Sequence, residues 1–108
     1  MAKYLVLYTS SESAEDMMAK ATPEDQEAGM EAWAAWSRRA GNAVVDLGSP
    51  LQPASTIGDA PSADGITGYS LLESDGDPSV DELLEGHPHL QIPGNGIQVL
   101  ELFEIPGM

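Results

Sequence analysis

The chain has no cysteine, so it forms no disulfide, binds no metal through thiolate and has no cysteine nucleophile. Basic residues are almost as scarce. Four lysines and arginines face 18 aspartates and glutamates, giving a formal net charge of −14 at pH 7. A surface of that sign repels phosphate backbones and anionic lipid, so neither nucleic acid nor a membrane is expected as a partner. The acids are scattered, which is the pattern of a solvated surface and not of an acidic tail. Long apolar runs are missing too. Near the N-terminus only Tyr4–Tyr8 is continuously apolar or aromatic, too short for a signal core or a membrane span. A cytoplasmic protein is expected. Leu, Ile, Val and Phe together number only 22 of 108 residues. That allows one small domain with a thin core, for which association is a common remedy.

What is present alternates between strand and helix patterns. Lys3 to Thr9 predicts a strand with apolar groups on both faces: Tyr4, Val6 and Tyr8 on one, Leu5 and Leu7 on the other. A short helix is expected around Ala14 to Lys20. Thr22 offers an N-cap, Pro23 the first helical position and Asp25 a partner three residues after the cap, so a long helix should run to about Ala40 and stop at Gly41. Its stripe is Gly29, Trp33, Trp36 and Ala40, the face expected to pack on a sheet. Ala43 to Leu47 predicts a second strand, and Ile66 to Glu73 a third, after an irregular connection rich in Gly, Pro, Ser and Ala. Asp77 with Pro78 predicts the start of a second packed helix, striped by Val80, Leu83 and Leu84 and stopped at Gly86. Ile97 to Ile105 predicts the last strand.

The order strand, helix, strand, strand, helix, strand predicts an α+β fold. It is the ferredoxin-like βαββαβ plait with an antiparallel sheet. Helices cover one sheet face. The first and last strands carry apolar groups on the other face as well, which calls for a second layer. The chain has no further elements to supply it, and a second copy of the same sheet would. A homodimer is therefore expected.

The blocks "KYLVLY", "TPEDQEAGMEAWAAWSRRAG", "VVDLGSPLQP", "GITGYSLLESDGDPSVDELLEGHPHL" and "IQVLELFEIPGM" resemble the YCII-related family over nearly the whole chain. "LLEGHPHL" is the most individual piece. The resemblance implies a ferredoxin-like protomer that forms a dimeric α+β barrel. It also implies a cleft that in some members holds a His and Asp pair, and one degradative relative removes chloride from an aromatic-derived ring. Where many members carry a "DGPF" stretch this chain has "DAPSADG", and its first long helix contains no histidine.

Both histidines of the chain lie in "EGHPHL". Pro88 biases His87 toward an extended backbone. If extension continues through His89, the two rings project to one side. His87 is then a pocket acid or base suited to neutral pH, or a helix-end group bonding the last carbonyls. His87 is expected to point inward and His89 to be the more exposed. No bound metal is expected, because local spacing supplies no third ligand beside the pair. Asp46, inside a predicted strand, either orients His87 as its catalytic partner or caps the turn at Gly48 and Ser49. Tyr8 and Tyr69 are strand aromatics whose hydroxyls are candidates for ligand binding. Trp33 and Trp36 are helix-spaced aromatics of a core, an interface or a pocket. "PGNG" lacks a phosphate-loop lysine and predicts a turn, and no cofactor is expected. Two functions follow. One is a homodimeric module with a pocket for a small organic ligand. The other is a cofactor-free enzyme of isomerase or lyase (dehydrochlorinase) type, moving a proton with His87 and Asp46.

Overall fold

The computed structural model describes residues 2–103 and 105–107. Among these residues four strands and three α-helices follow one another as β1 (Ala2–Thr9), α1 (Ala14–Lys20), α2 (Pro23–Ala40), β2 (Val44–Asp46), β3 (Ile66–Ser74), α3 (Val80–Leu84) and β4 (Gly96–Leu102). The fold is α+β. One sheet has the order β2-β3-β1-β4, and every neighbouring pair is antiparallel. This arrangement is compatible with the ferredoxin-like plait. Among the described residues, no helix is long and apolar enough to cross a membrane.

Local chemistry sets the helix ends. Thr22 and Asp25 form the reciprocal capping box expected of them, and Gly41, at φ 59°, ends α2. The start of α3 differs from expectation. Its cap is Ser79, whose side chain accepts from the Glu82 N–H while Glu82 reaches back to the Ser79 N–H. Asp77 instead bonds back to Asp75. A serine with a glutamate three residues on satisfies two orphan donors at once, which outweighs the Asp77–Pro78 signal. β2 is also shorter than its pattern, because a 3₁₀ turn takes up Gly41–Ala43. β4 ends at Leu102, before the predicted Ile105; Phe103 and Ile105 lie beyond it and are exposed, and Glu104 lies outside the described residues.

The core is one-sided. Val6, Tyr8 and Leu72 from the sheet meet Trp36 and Ala40 of α2 and Val80, Leu83 and Leu84 of α3. Trp36 Nε1 donates to the Leu83 carbonyl at 2.9 Å, tying the two helices together. On the other sheet face, register aligns Leu100, Leu5 and Leu71 in one row, with Leu7 and Leu102 beside them. Leu100 and Leu102 are each about half exposed, at 49% and 48%. Among the described residues, no helix packs on that face as a layer.

The stripe of α2 behaves unevenly. Trp36 and Ala40 are buried, but Gly29 and Trp33 are only partly so. The N-terminal half of the helix therefore stands off the sheet. A Cβ at Gly29 would meet nothing within 4 Å. Gly29→Ala is expected to raise stability by about 0.5–1 kcal/mol, by favouring helix and restricting the unfolded chain. Urea denaturation checks this; a lower midpoint would show that the small residue serves the cleft below the helix.

Candidate functional site

Gly86, at φ 70°, turns the chain out of α3, and the His87 N–H donates to the Leu84 carbonyl at 3.2 Å. His87 itself is extended, as Pro88 demands, at φ −58° and ψ 138°. Extension does not continue. Pro88–Gln91 forms a 3₁₀ turn, and His87 caps it by accepting the His89 N–H on Nδ1 at 3.0 Å. The two imidazoles therefore do not align as the ligands of a strand would. His87 enters the core instead. It is fully buried, with ring centroids 4.4 Å from Trp36, 4.5 Å from Trp33 and 5.0 Å from Tyr8.

Its hydrogen bonds determine its chemistry. Nδ1 accepts, so the neutral ring carries its proton on Nε2. Nε2 lies 3.3 Å from the Tyr8 hydroxyl and donates to it. Tyr8 lies 2.7 Å from Ser70 Oγ, and Ser70 donates to the Leu47 carbonyl at 2.6 Å. Only Ser70 can take that last acceptor, so the chain of donors runs one way: His87, Tyr8, Ser70, Leu47. Burial, then the nearby His89 and Arg39, pushes His87 down to about 4, and burial pushes Tyr8 up to about 12. Both are neutral at pH 7. Among the described residues every buried side-chain nitrogen and oxygen has a partner. His87 has no spare lone pair with which to take a proton in this arrangement.

His89 is the more exposed of the pair, as expected, but it is still buried, at 7%. Its Nε2 donates to the Thr9 carbonyl at 2.8 Å, and Asn95 Nδ2 lies 3.3 Å from its Nδ1. Asn95 also donates to the His89 carbonyl at 3.1 Å. The turn "PGNG" thus does more than reverse the chain: its asparagine holds His89 in one tautomer. Among the described residues, no three His, Asp or Glu side chains group as a metal site.

Asp46 is not brought to His87. Its Oδ2 accepts from the Tyr69 hydroxyl at 3.2 Å and its Oδ1 from the Gly48 N–H at 2.9 Å. Tyr69 pairs in register with Leu7, on the face opposite Tyr8 and Ser70, because alternate strand residues project to opposite sides. Both predicted tyrosines are among the residues that line the cleft under α2, but the Tyr69 hydroxyl is engaged by Asp46, and the expected His87–Asp46 pair is not formed. The Asp46 charge, more than its hydrogen bond, raises Tyr69 above the usual phenol range. Ser70, which no motif marked, is the group that His87 reaches through Tyr8. Its one sequence signal is a serine at an inward position of β3, two residues before the apolar Leu72.

Beside this network a cleft of about 1170 Å³ opens between α1, α2 and the sheet. Tyr8, Trp33, Trp36, His89 and Arg39 line it, with the thioethers of Met17, Met18 and Met30 along the helices. It exceeds the roughly 300–1,000 Å³ usual for small-molecule sites, so a ligand fits with water to spare. The cleft-lining histidine is His89; His87 stands behind, as part of the wall's support. The chain matches no known family model and no curated protein.

Proposed function

We propose that this protein is a YCII-related, ferredoxin-like protomer that pairs with a second copy as a dimeric α+β barrel. In this reading it is a cytoplasmic module that binds a small organic ligand in the cleft under α2. The observation that carries it is the cleft itself: large, aromatic and thioether-walled, with Arg39, His89 and Asn95 among its lining residues. The strand order, and the way Gly86, His87 and Pro88 build the cleft wall from the "GHPHL" block, support the family assignment. The open row of Leu5, Leu71 and Leu100 supports the dimer, since a second copy of this apolar sheet face covers it in kind. The enzyme reading is weaker. It needs a base, and His87 has both nitrogens engaged while Asp46 bonds to Tyr69.

Two measurements test the proposal. Light scattering at micromolar concentration should give twice the 11.4 kDa chain mass. Leu5→Asp with Leu71→Asp should reduce it to one chain, and a monomeric wild type would overturn the barrel. Titration with 2-naphthamide, an uncharged probe, should change the emission of Trp33 and Trp36 saturably. No saturable change up to millimolar probe would overturn the binding module.

A further inference from the structure

The cleft differs from the rest of the molecule in charge. The chain carries 18 acidic residues, yet no aspartate or glutamate lines the cleft among the described residues. Among the described residues its single charged lining residue is Arg39. In a chain of net charge −14, an arginine has many carboxylates available, but among the described residues Arg39 makes no ion pair; the one salt bridge is Lys20 with Glu12. Arg39 is oriented all the same. Its Nη2 donates to the Leu83 carbonyl at 3.3 Å and the Glu85 carbonyl at 2.6 Å, at the end of α3. Those two bonds use one nitrogen of the guanidinium. Nε and Nη1 have no hydrogen-bond partner among the described residues, and the bare backbone of Gly86 lies beside Nη1.

We infer that the cleft takes a small aromatic carboxylate, whose ring packs along Trp33 and Trp36 and whose anion pairs with Arg39. This rests on the cleft being a ligand site. The guanidinium fork matches a carboxylate, and among the described residues no acid lines the cleft to compete for it. Trp36 and Arg39 sit three residues apart on α2, so aromatic wall and cation share one helix face. A cationic ligand fits worse. Arg39, the charged side chain among the cleft's described lining residues, repels it.

The test compares 2-naphthoate with the uncharged 2-naphthamide, read by tryptophan emission. Wild type should bind naphthoate roughly tenfold or more tighter, the scale of one charge-assisted pair. Arg39→Gln should bring the two affinities together with the amide's nearly unchanged. Arg38→Gln, the same charge change on a neighbour outside the cleft, should leave the preference intact. Equal or tighter binding of the amide by wild type overturns this inference and leaves the binding module standing. An equal loss of preference in both variants also overturns it, by assigning the effect to net charge. Binding of neither probe overturns both proposals. Because Arg39 also holds two carbonyls, a second measurement uses wild type alone. Naphthoate should shift the Arg39 Nε–H resonance and not that of Arg38; an unmoved Arg39 resonance overturns the inference even if Arg39→Gln fails to fold.

Discussion

Lowering the pH from 7 to 4 should cost the folded state up to about 3 kcal/mol through His87 alone, given the roughly 2.5-unit gap between its ordinary and its buried value. Burial lowers the folded value from 6.5 to about 4. Above 6.5 the ring is neutral in both states and contributes no penalty. As pH falls below that, the unfolded chain takes up a proton that the folded chain refuses, and stability declines. The decline levels off below about 4, where both states are protonated. The groups packed against the ring sharpen the effect. They are Tyr8, Trp33 and Trp36, with His89 and Arg39 near enough to oppose a positive charge, and no carboxylate stands among them to stabilise it. Protonation of Nδ1 would also set two donors against each other, since the His89 N–H already points at it.

Other groups titrate over the same range. Protonating the many surface carboxylates relieves repulsion in a chain of charge −14, which pushes stability the other way. The contribution of His87 is isolated by comparing wild type with His87→Gln across a pH series of denaturant melts. The variant loses packing and starts less stable at pH 7. Its deficit should shrink by about 3 kcal/mol by pH 4, because only wild type carries the linked proton. A deficit constant with pH would show that His87 titrates normally and that its burial does not disfavour the charged form.

Gly48→Ala should be among the most damaging single substitutions in the chain, on the order of 3 kcal/mol or more. The residue sits at φ 81°, in the left-handed region, and a Cβ would lie 1.8 Å from the Tyr69 carbonyl oxygen. That neighbour is strand backbone and cannot swing aside. The Gly48 N–H is also held by Asp46 Oδ1 at 2.9 Å, so the turn is pinned from both sides. Displacing it would pull away the Leu47 carbonyl that ends the chain of donors from His87. Gly58→Ala is the control. Its φ of 68° carries a similar conformational strain, but nothing lies within 4 Å of its Cβ. It should cost only about 1–2 kcal/mol, the strain of a left-handed residue without a clash. Equal losses for the two would mean that the crossing over Tyr69 is looser than the geometry indicates.

The elements themselves were legible because their signals are short-range. A capping box spans three residues, as in Thr22 and Asp25; a helix stripe spans three or four, as in Leu83 and Leu84 with Val80; and a left-handed stop is one residue, Gly41 or Gly86. Such features act through bonds and neighbours that the sequence places next to each other. The alternation of β1 and β4 showed that both sheet faces are apolar, which structure and sequence state alike. Where two local signals competed, as Asp77–Pro78 against Ser79 with Glu82, the one that satisfied more backbone donors prevailed.

By itself, then, the sequence determined an α+β order of elements, an acidic surface without thiol chemistry, a sharp corner at His87 and two aromatics on one stripe of α2. Only the tertiary structure decided what those residues do. His87 meets Tyr8 across 79 positions and Tyr8 meets Ser70 across 62, contacts that come from strand register and from where α3 ends. Register also pairs Tyr69 with Leu7 and turns its hydroxyl to Asp46, which a strand pattern alone cannot reveal, because shifting a strand by one residue exchanges its faces. The same three-dimensional sorting leaves Arg39 in a cleft with no acid. Charge is a property of the whole chain in sequence, but a site feels only the charges that folding brings beside it, since Coulomb interactions between exposed groups fade within about 8–10 Å in salt.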